Sequence, residues 1–145
     1  MVIILKTFFI FKLNKEYSSI AIKTPYNIYL LLFSIYKQNK KNLYKAYNLF
    51  DEICLSINRD FFNYYIYNTL NILEGYTKYR YIHMYNDYFT GEVSKITINN
   101  SHIKLKSNKD ENVFIEKIKD IKDLFICDFD NNYYIFTSKK RMKTR

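Results

Sequence analysis

The sequence predicts one α+β domain: a largely antiparallel sheet (N-terminal strand, meander and C-terminal hairpin) packed with about four helices. Three observations predict it. Apolar residues recur at helical spacing through Leu43, Ala46, Tyr47, Leu49, Phe50, Ile53, Cys54 and Ile57. From Ser94 onward the period becomes two, with Ile96 and Ile98 alternating with Lys95 and Thr97, and Ile103 and Leu105 alternating with His102, Lys104 and Lys106. Residues 124–138 then set two apolar arms around Asp130-Asn131-Asn132, residue types that tolerate positive φ and bond their own backbone. The first of those arms is apolar almost without a break, as a strand covered on both faces would be, and is expected at the centre of the sheet.

In chain order, residues 2–13 are rich in Ile, Phe and Leu and read as a first strand, with Asn14-Lys15-Glu16 as its polar exit. Residues 17–23 read either as a second short strand or as an extended lead-in. Thr24-Pro25 opens a helix, since Thr caps and Pro fits a first turn whose N–H is unpaired anyway. Residues 26–37 are apolar nearly all the way round, so that helix is expected to be buried. After a polar break at residues 38–42, an amphipathic helix runs to near Asn58. Asp60 is expected to cap a third helix, 61–74, closed by Gly75 in a left-handed conformation. A strand over 79–85 follows. Asn99-Asn100-Ser101 then joins the period-two strands as a half-exposed hairpin. Val113, Phe114, Ile118 and Ile121 mark a helix within 110–122 before the closing hairpin. The domain is expected to span residues 1–138, with 139–145 a basic, flexible tail.

A chain of 145 residues suits one domain, and 48% hydrophobic residues argue against general disorder. The net charge of +9 points to nucleic acid, acidic lipid or an acidic protein partner. A low-GC genome is the competing explanation, because Lys, Asn, Ile, Tyr and Phe all have A/T-rich codons. Cys54 and Cys127 each sit in an apolar run and read as buried free thiols of a reducing cytosol. The opening residues lack a basic n-region before Lys6 interrupts them, so no signal peptide is expected. No stretch approaches the ~20 apolar residues that span a bilayer. The expected location is cytoplasmic.

Gly75 and Gly91 are the only glycines, which excludes phosphate-cradling P-loops and dinucleotide fingerprints. The element order resembles small acyl-CoA acetyltransferases. Those hold the cofactor pyrophosphate on a glycine-containing turn, however, and the turn here is Ser107-Asn108-Lys109-Asp110, leaving at most a degenerate acetyltransferase-like domain. His83 and His102 have no ligand at metal-like spacing and read as surface or interface histidines. Asp128 and Asp130 flank Phe129 in a D-x-D pattern that could hold a divalent ion, but Asp130 is more simply a turn former. Asp51-Glu52 reads as a solvated helix face, and Ser18-Ser19 has no His or Lys to activate it. No enzyme, cofactor or metal is expected. Two binding readings stand. In one, Lys139, Lys140, Arg141, Lys143 and Arg145, with Lys104, Lys106 and the aromatic-rich 76–88 segment, track a nucleic-acid backbone while rings stack on bases. In the other, the 16 tyrosines serve a protein–protein interface.

Several stretches, in order, resemble the sporulation inhibitor of replication (SirA) family. They are Phe8-Phe9-Ile10-Phe11-Lys12-Leu13-Asn14-Lys15-Glu16-Tyr17, the segment 47–70, Ser101-His102-Ile103-Lys104-Leu105, Val113-Phe114-Ile115-Glu116 and the Asp128-Phe129 hairpin with Tyr134 and Phe136. The resemblance implies a non-enzymatic inhibitor that binds the N-terminal domain of the bacterial initiator DnaA during sporulation and blocks assembly at the origin. It implies a docking face at the end of the first strand and the first helices. Tyr17 falls at the family's aromatic contact, with Glu16 beside it. Ala21, Ile53 and Ser56 depart from docking positions that are aromatic or polar in the family, and Ile135 and Phe136 stand where it has glycine and tryptophan. Asp128, Phe129, Tyr134 and Phe136 are read as structural.

Overall fold

A computed structural model describes residues 3–137, and its elements are arranged about β1 (Lys6–Leu13). Three helices follow, α1 (Lys15–Lys23), α2 (Pro25–Lys41) and α3 (Leu43–Ile53). Next come β2 (Cys54–Leu55), α4 (Arg59–Leu70), β3 (Tyr76–Tyr79) and β4 (Ile82–Asn86). The chain continues through β5 (Val93–Ile98), β6 (Ile103–Ser107), α5 (Val113–Ile118), β7 (Leu124–Asp128) and β8 (Tyr133–Thr137). The strands form an eight-stranded sheet in the order β3-β4-β5-β6-β1-β7-β8, with β2 paired to β1. All its pairings are antiparallel. Lys12 pairs with Leu124 of β7 and with Leu55 of β2, so β2 lies on the edge of β1 opposite β7.

Strand alternation sends the side chains of β1 to two different cores. Phe8 and Ile10 join an aliphatic cluster with Ile96, Ile98, Ile103, Leu105 and Ile126, roofed by Phe62 and Ile66 of α4 and by Phe114 and Ile118 of α5. Phe11 and Leu13 join an aromatic cluster on the other face, with Ile28, Tyr29 and Leu32 of α2, Ala46 and Ile53 of α3, and Phe125, Cys127 and Phe129. Phe129 is the hub of that cluster, with ring centroids 4.7 Å from Tyr36, 5.6 Å from Phe33 and 5.7 Å from Tyr29. Every residue of β7 is buried, as its unbroken apolar run predicts. That strand nevertheless lies next to the edge strand β8, not at the centre of the sheet. Its burial comes from helices above and below, which do not require a central position.

Several boundaries differ from the sequence expectation, each for a local reason. Residues 17–23 are helical, because Asn14 caps them: its Oδ1 accepts the Tyr17 N–H at 2.9 Å, and Glu16 complements the positive helix end. Thr24 ends α1 and turns its hydroxyl back to the Ile20 carbonyl, while Pro25 takes the first turn of α2. Helix α3, expected to run to near Asn58, stops at Ile53, since Cys54 and Leu55 pair with the end of β1. Asn58, not Asp60, caps α4, accepting the Phe61 N–H at 3.1 Å. That helix ends at Leu70; Gly75, at φ 98°, instead leads into β3, where a Cβ would collide with the Asn86 carbonyl. The predicted strand 79–85 is a hairpin turning through Arg80 at φ 56°. The last helix contracts to α5, capped by Asn112. Among the described residues no helix is long and apolar enough to cross a membrane.

Candidate docking surfaces

Tyr17 is tied to the end of α3. Its hydroxyl donates to Glu52 Oε2 at 2.9 Å, while Asn14 Nδ2 donates to the Glu52 carbonyl at 2.8 Å and the Asn14 N–H to that of Ile53 at 3.0 Å. The bond to Glu52, with burial second, holds the phenol above its ordinary range. The ring packs half-buried against the aromatic cluster. Glu16 is exposed beside it, as are Ile20 one helical turn on and Leu55 just beyond α3. Of the three docking positions at which the resemblance fails, Ala21 and Ile53 are buried and Ser56 is exposed.

The four residues read as structural lie together at the closing hairpin. Asp128 is buried, and its Oδ2 accepts the Asn131 amide at 2.7 Å. Asn132 takes φ 54°, the positive φ expected of this turn. Phe125 lies between Tyr134 and Phe136, at centroid distances of 5.7 and 5.8 Å. The basic residues Lys139, Lys140, Arg141, Lys143 and Arg145 fall outside the described residues.

One of the two histidines differs from expectation. His83 is no surface residue: it is 0% exposed, because strand register sets it opposite Ile96 and beneath α4. Asn63 Oδ1 can only accept, so His83 Nε2 donates to it at 2.8 Å and Nδ1 accepts the Tyr76 hydroxyl at 2.6 Å. Burial pushes the imidazole down to about 4 and the Tyr76 phenol up to about 12, so the chain of three is neutral at physiological pH. His102 bonds the adjacent Ser101 at 2.9 Å and packs its ring on Phe9 and Phe11. Cys54 and Cys127 are free and buried as expected, and burial raises both thiols, Cys54 to about 12. Among the described residues no group of three or more His, Cys, Asp or Glu is placed to hold a metal ion.

Two surfaces take a form that the sequence, which pointed to Lys104, Lys106 and the 76–88 segment for nucleic acid, did not show. The first is a loop tip where Tyr88 and Phe89 are 101% and 98% exposed. Asp87 fixes that turn by accepting the Phe89 N–H and the Thr90 hydroxyl, both at 2.9 Å. Two aromatics inside a cluster of turn residues are out of place, and that was the available signal. The second is the uncovered half of the sheet. Helices α1 to α3 roof one face over β1, β7 and β8, and Lys95, Lys104 and Lys106 project from that face beyond the roof. At the border a pocket of about 150 Å³ is lined by Thr7, Phe9, Tyr36, Lys104, Lys106, Phe129 and Asp130. The alternation of lysines was visible in the sequence; their cross-strand register was not. Comparison with protein-family models finds no match to this chain, and comparison with curated proteins finds none either.

Proposed function

We propose that this chain is a non-enzymatic regulator acting through a protein partner, the N-terminal domain of the bacterial initiator DnaA, and that its binding keeps initiation complexes from assembling during sporulation. The reading locates the chain in the cytoplasm. The observation that carries it is the anchoring of Tyr17, which stands at the aromatic contact implied by the family resemblance. An interface aromatic held in place before binding loses little conformational entropy when it docks. Tyr17 is so held, through Asn14 and Glu52, with apolar Ile20 and Leu55 exposed nearby. Ala21 and Ile53 are buried, whereas Glu16 and Ile20 are exposed on either side of Tyr17 and are the α1 residues this reading assigns to the contact.

A calorimetric titration with the initiator domain tests this. A docked aromatic hot spot contributes ~2 kcal/mol or more, so Tyr17→Ala is expected to weaken binding more than tenfold. Tyr17→Phe keeps the ring and removes only the bond to Glu52, and is expected to cost less. Failure of the wild-type protein to bind would overturn the proposal.

A further inference from the structure

We propose that the uncovered half of the sheet, β5 and β6 with the pocket bordering α2, is a platform for single-stranded nucleic acid. The inference rests on a different part of the molecule from the Tyr17 corner and stands without it.

The first argument is charge. Lys95 and Lys106 are direct partners across β5 and β6, and Lys104 lies two residues further along. Like charges directly opposite each other destabilise a strand pair, and nothing on this face offsets the cost. No strand position on this side of β3 to β6 is a carboxylate; Asp130, in the turn after β7, is the one acidic residue at the border pocket. The ion pairs among the described residues are Lys6 with Asp110 and Lys119 with Glu111, so the three platform lysines have none. An unneutralised lysine pair on an open face is complementary to a polyanion.

The second argument is the company these lysines keep. Strand register pairs Lys104 with Phe9, whose ring lies 5.9 Å from the ammonium, and pairs Lys106 with Thr7. Phe9, Tyr36 and Phe129 supply rings to the pocket into which both lysines reach. Ammonium groups beside aromatic walls match a ligand that carries phosphate and flat bases together. An open sheet face offers no helix or ribbon to a duplex groove, whereas unpaired bases can lie on it and stack.

Other occupants fit less well. A second copy of the face would oppose lysine with lysine, and residues 138–145 carry the same sign. An anionic lipid surface would satisfy the charge and leave the rings unused.

The test uses the full chain and a short labelled oligothymidylate, followed by fluorescence anisotropy over a salt series. Single strands give a slope of log K against log salt of about −0.7 per neutralised phosphate, so the three lysines predict about −2. The combined Lys95→Ala, Lys104→Ala, Lys106→Ala variant is expected to bind at least tenfold more weakly with a flattened slope. Its unfolding midpoint in urea serves as the fold control. Phe9→Leu keeps apolar bulk and removes the ring, and is expected to weaken binding about tenfold at an unchanged slope. Tyr17→Ala is expected to leave oligonucleotide binding intact, which separates this inference from the initiator reading. It would be overturned by no binding at low salt, by a lysine variant that binds like wild type, or by capture by phosphatidylserine vesicles without capture of the oligonucleotide. Equal binding by Phe9→Leu would also overturn the platform, leaving a surface that reads charge alone.

Discussion

Strands β6 and β7 flank the same strand, pair with it in the same antiparallel sense and have five residues each, yet they are chemically opposite. The sequence of β7 is Leu-Phe-Ile-Cys-Asp and all of it is buried; that of β6 is Ile-Lys-Leu-Lys-Ser, with Lys104 and Lys106 at or near the surface. What separates them is coverage. Both are roofed by α4 and α5 on one face, but α1 to α3 extend only over β7 on the other. Alternation therefore reports where the helical roof ends. A sheet with one roofed and one open half also has two different kinds of surface available for binding: the corner where α1 meets α3, and the open strands.

Side-chain truncation gives the largest effect with which to break this comparison. Phe125→Ala on β7 is expected to cost about 3–5 kcal/mol in urea unfolding, while Lys106→Ala on β6 is expected to change stability by less than ~0.5 kcal/mol. Similar costs for the two would contradict the coverage argument.

Acid sharpens the account of the roofed face. His83 stays neutral in the fold down to about 4, whereas in the unfolded chain it protonates below its ordinary 6.5. Between those values the unfolded state binds more protons, so stability is expected to fall with falling pH by up to ~1.4 kcal/mol per unit. Burial of His102 lowers its imidazole too and adds an effect of the same sign. Below about 4 the His83 contribution is fully lost and its slope ends. Urea midpoints measured across this window, with His83→Gln as the flattened control, check the prediction.

Glu92→Gln probes the junction of the roof with β5. Buried Glu92 accepts the Ser94 hydroxyl at 2.7 Å and the Val113 N–H at 3.0 Å, tying β5 to the start of α5. Weakening these charge-assisted bonds is expected to cost about 1–3 kcal/mol in the same assay. The smallest effect has the opposite sign. Lys95→Glu replaces the like-charged pair with a cross-strand ion pair to Lys106, and is expected to stabilise the fold by ~0.2–1 kcal/mol while weakening oligonucleotide binding.

Much of this was legible where a physical signal was local. Alternation at 94–106 and the Asp130-Asn131-Asn132 turn both anticipated the observed hairpins. Helix α1 was missed because its Ser and Ile residues favour no helix strongly, and because Asn14, read as a polar exit, is in fact the cap. Cys54 and Leu55 belong to a strand only through their pairing with β1, a tertiary effect that overrides the helical periodicity running through them. Burial of His83 followed from register with Ile96, which a single strand does not reveal. Of the candidate sites, Tyr17 was found through resemblance and the lysines through alternation. The border pocket was not legible, because β1, β6, α2 and the turn after β7 each contribute to it.

The most direct test of the central claim is a titration of the initiator's N-terminal domain with three forms of the protein. These are wild type, Tyr17→Ala and the combined variant of Lys95, Lys104 and Lys106 to Ala. The account predicts binding by wild type, a loss of more than tenfold for Tyr17→Ala and no change for the lysine variant. Absence of wild-type binding, or binding lost with the lysines and kept without Tyr17, would contradict it.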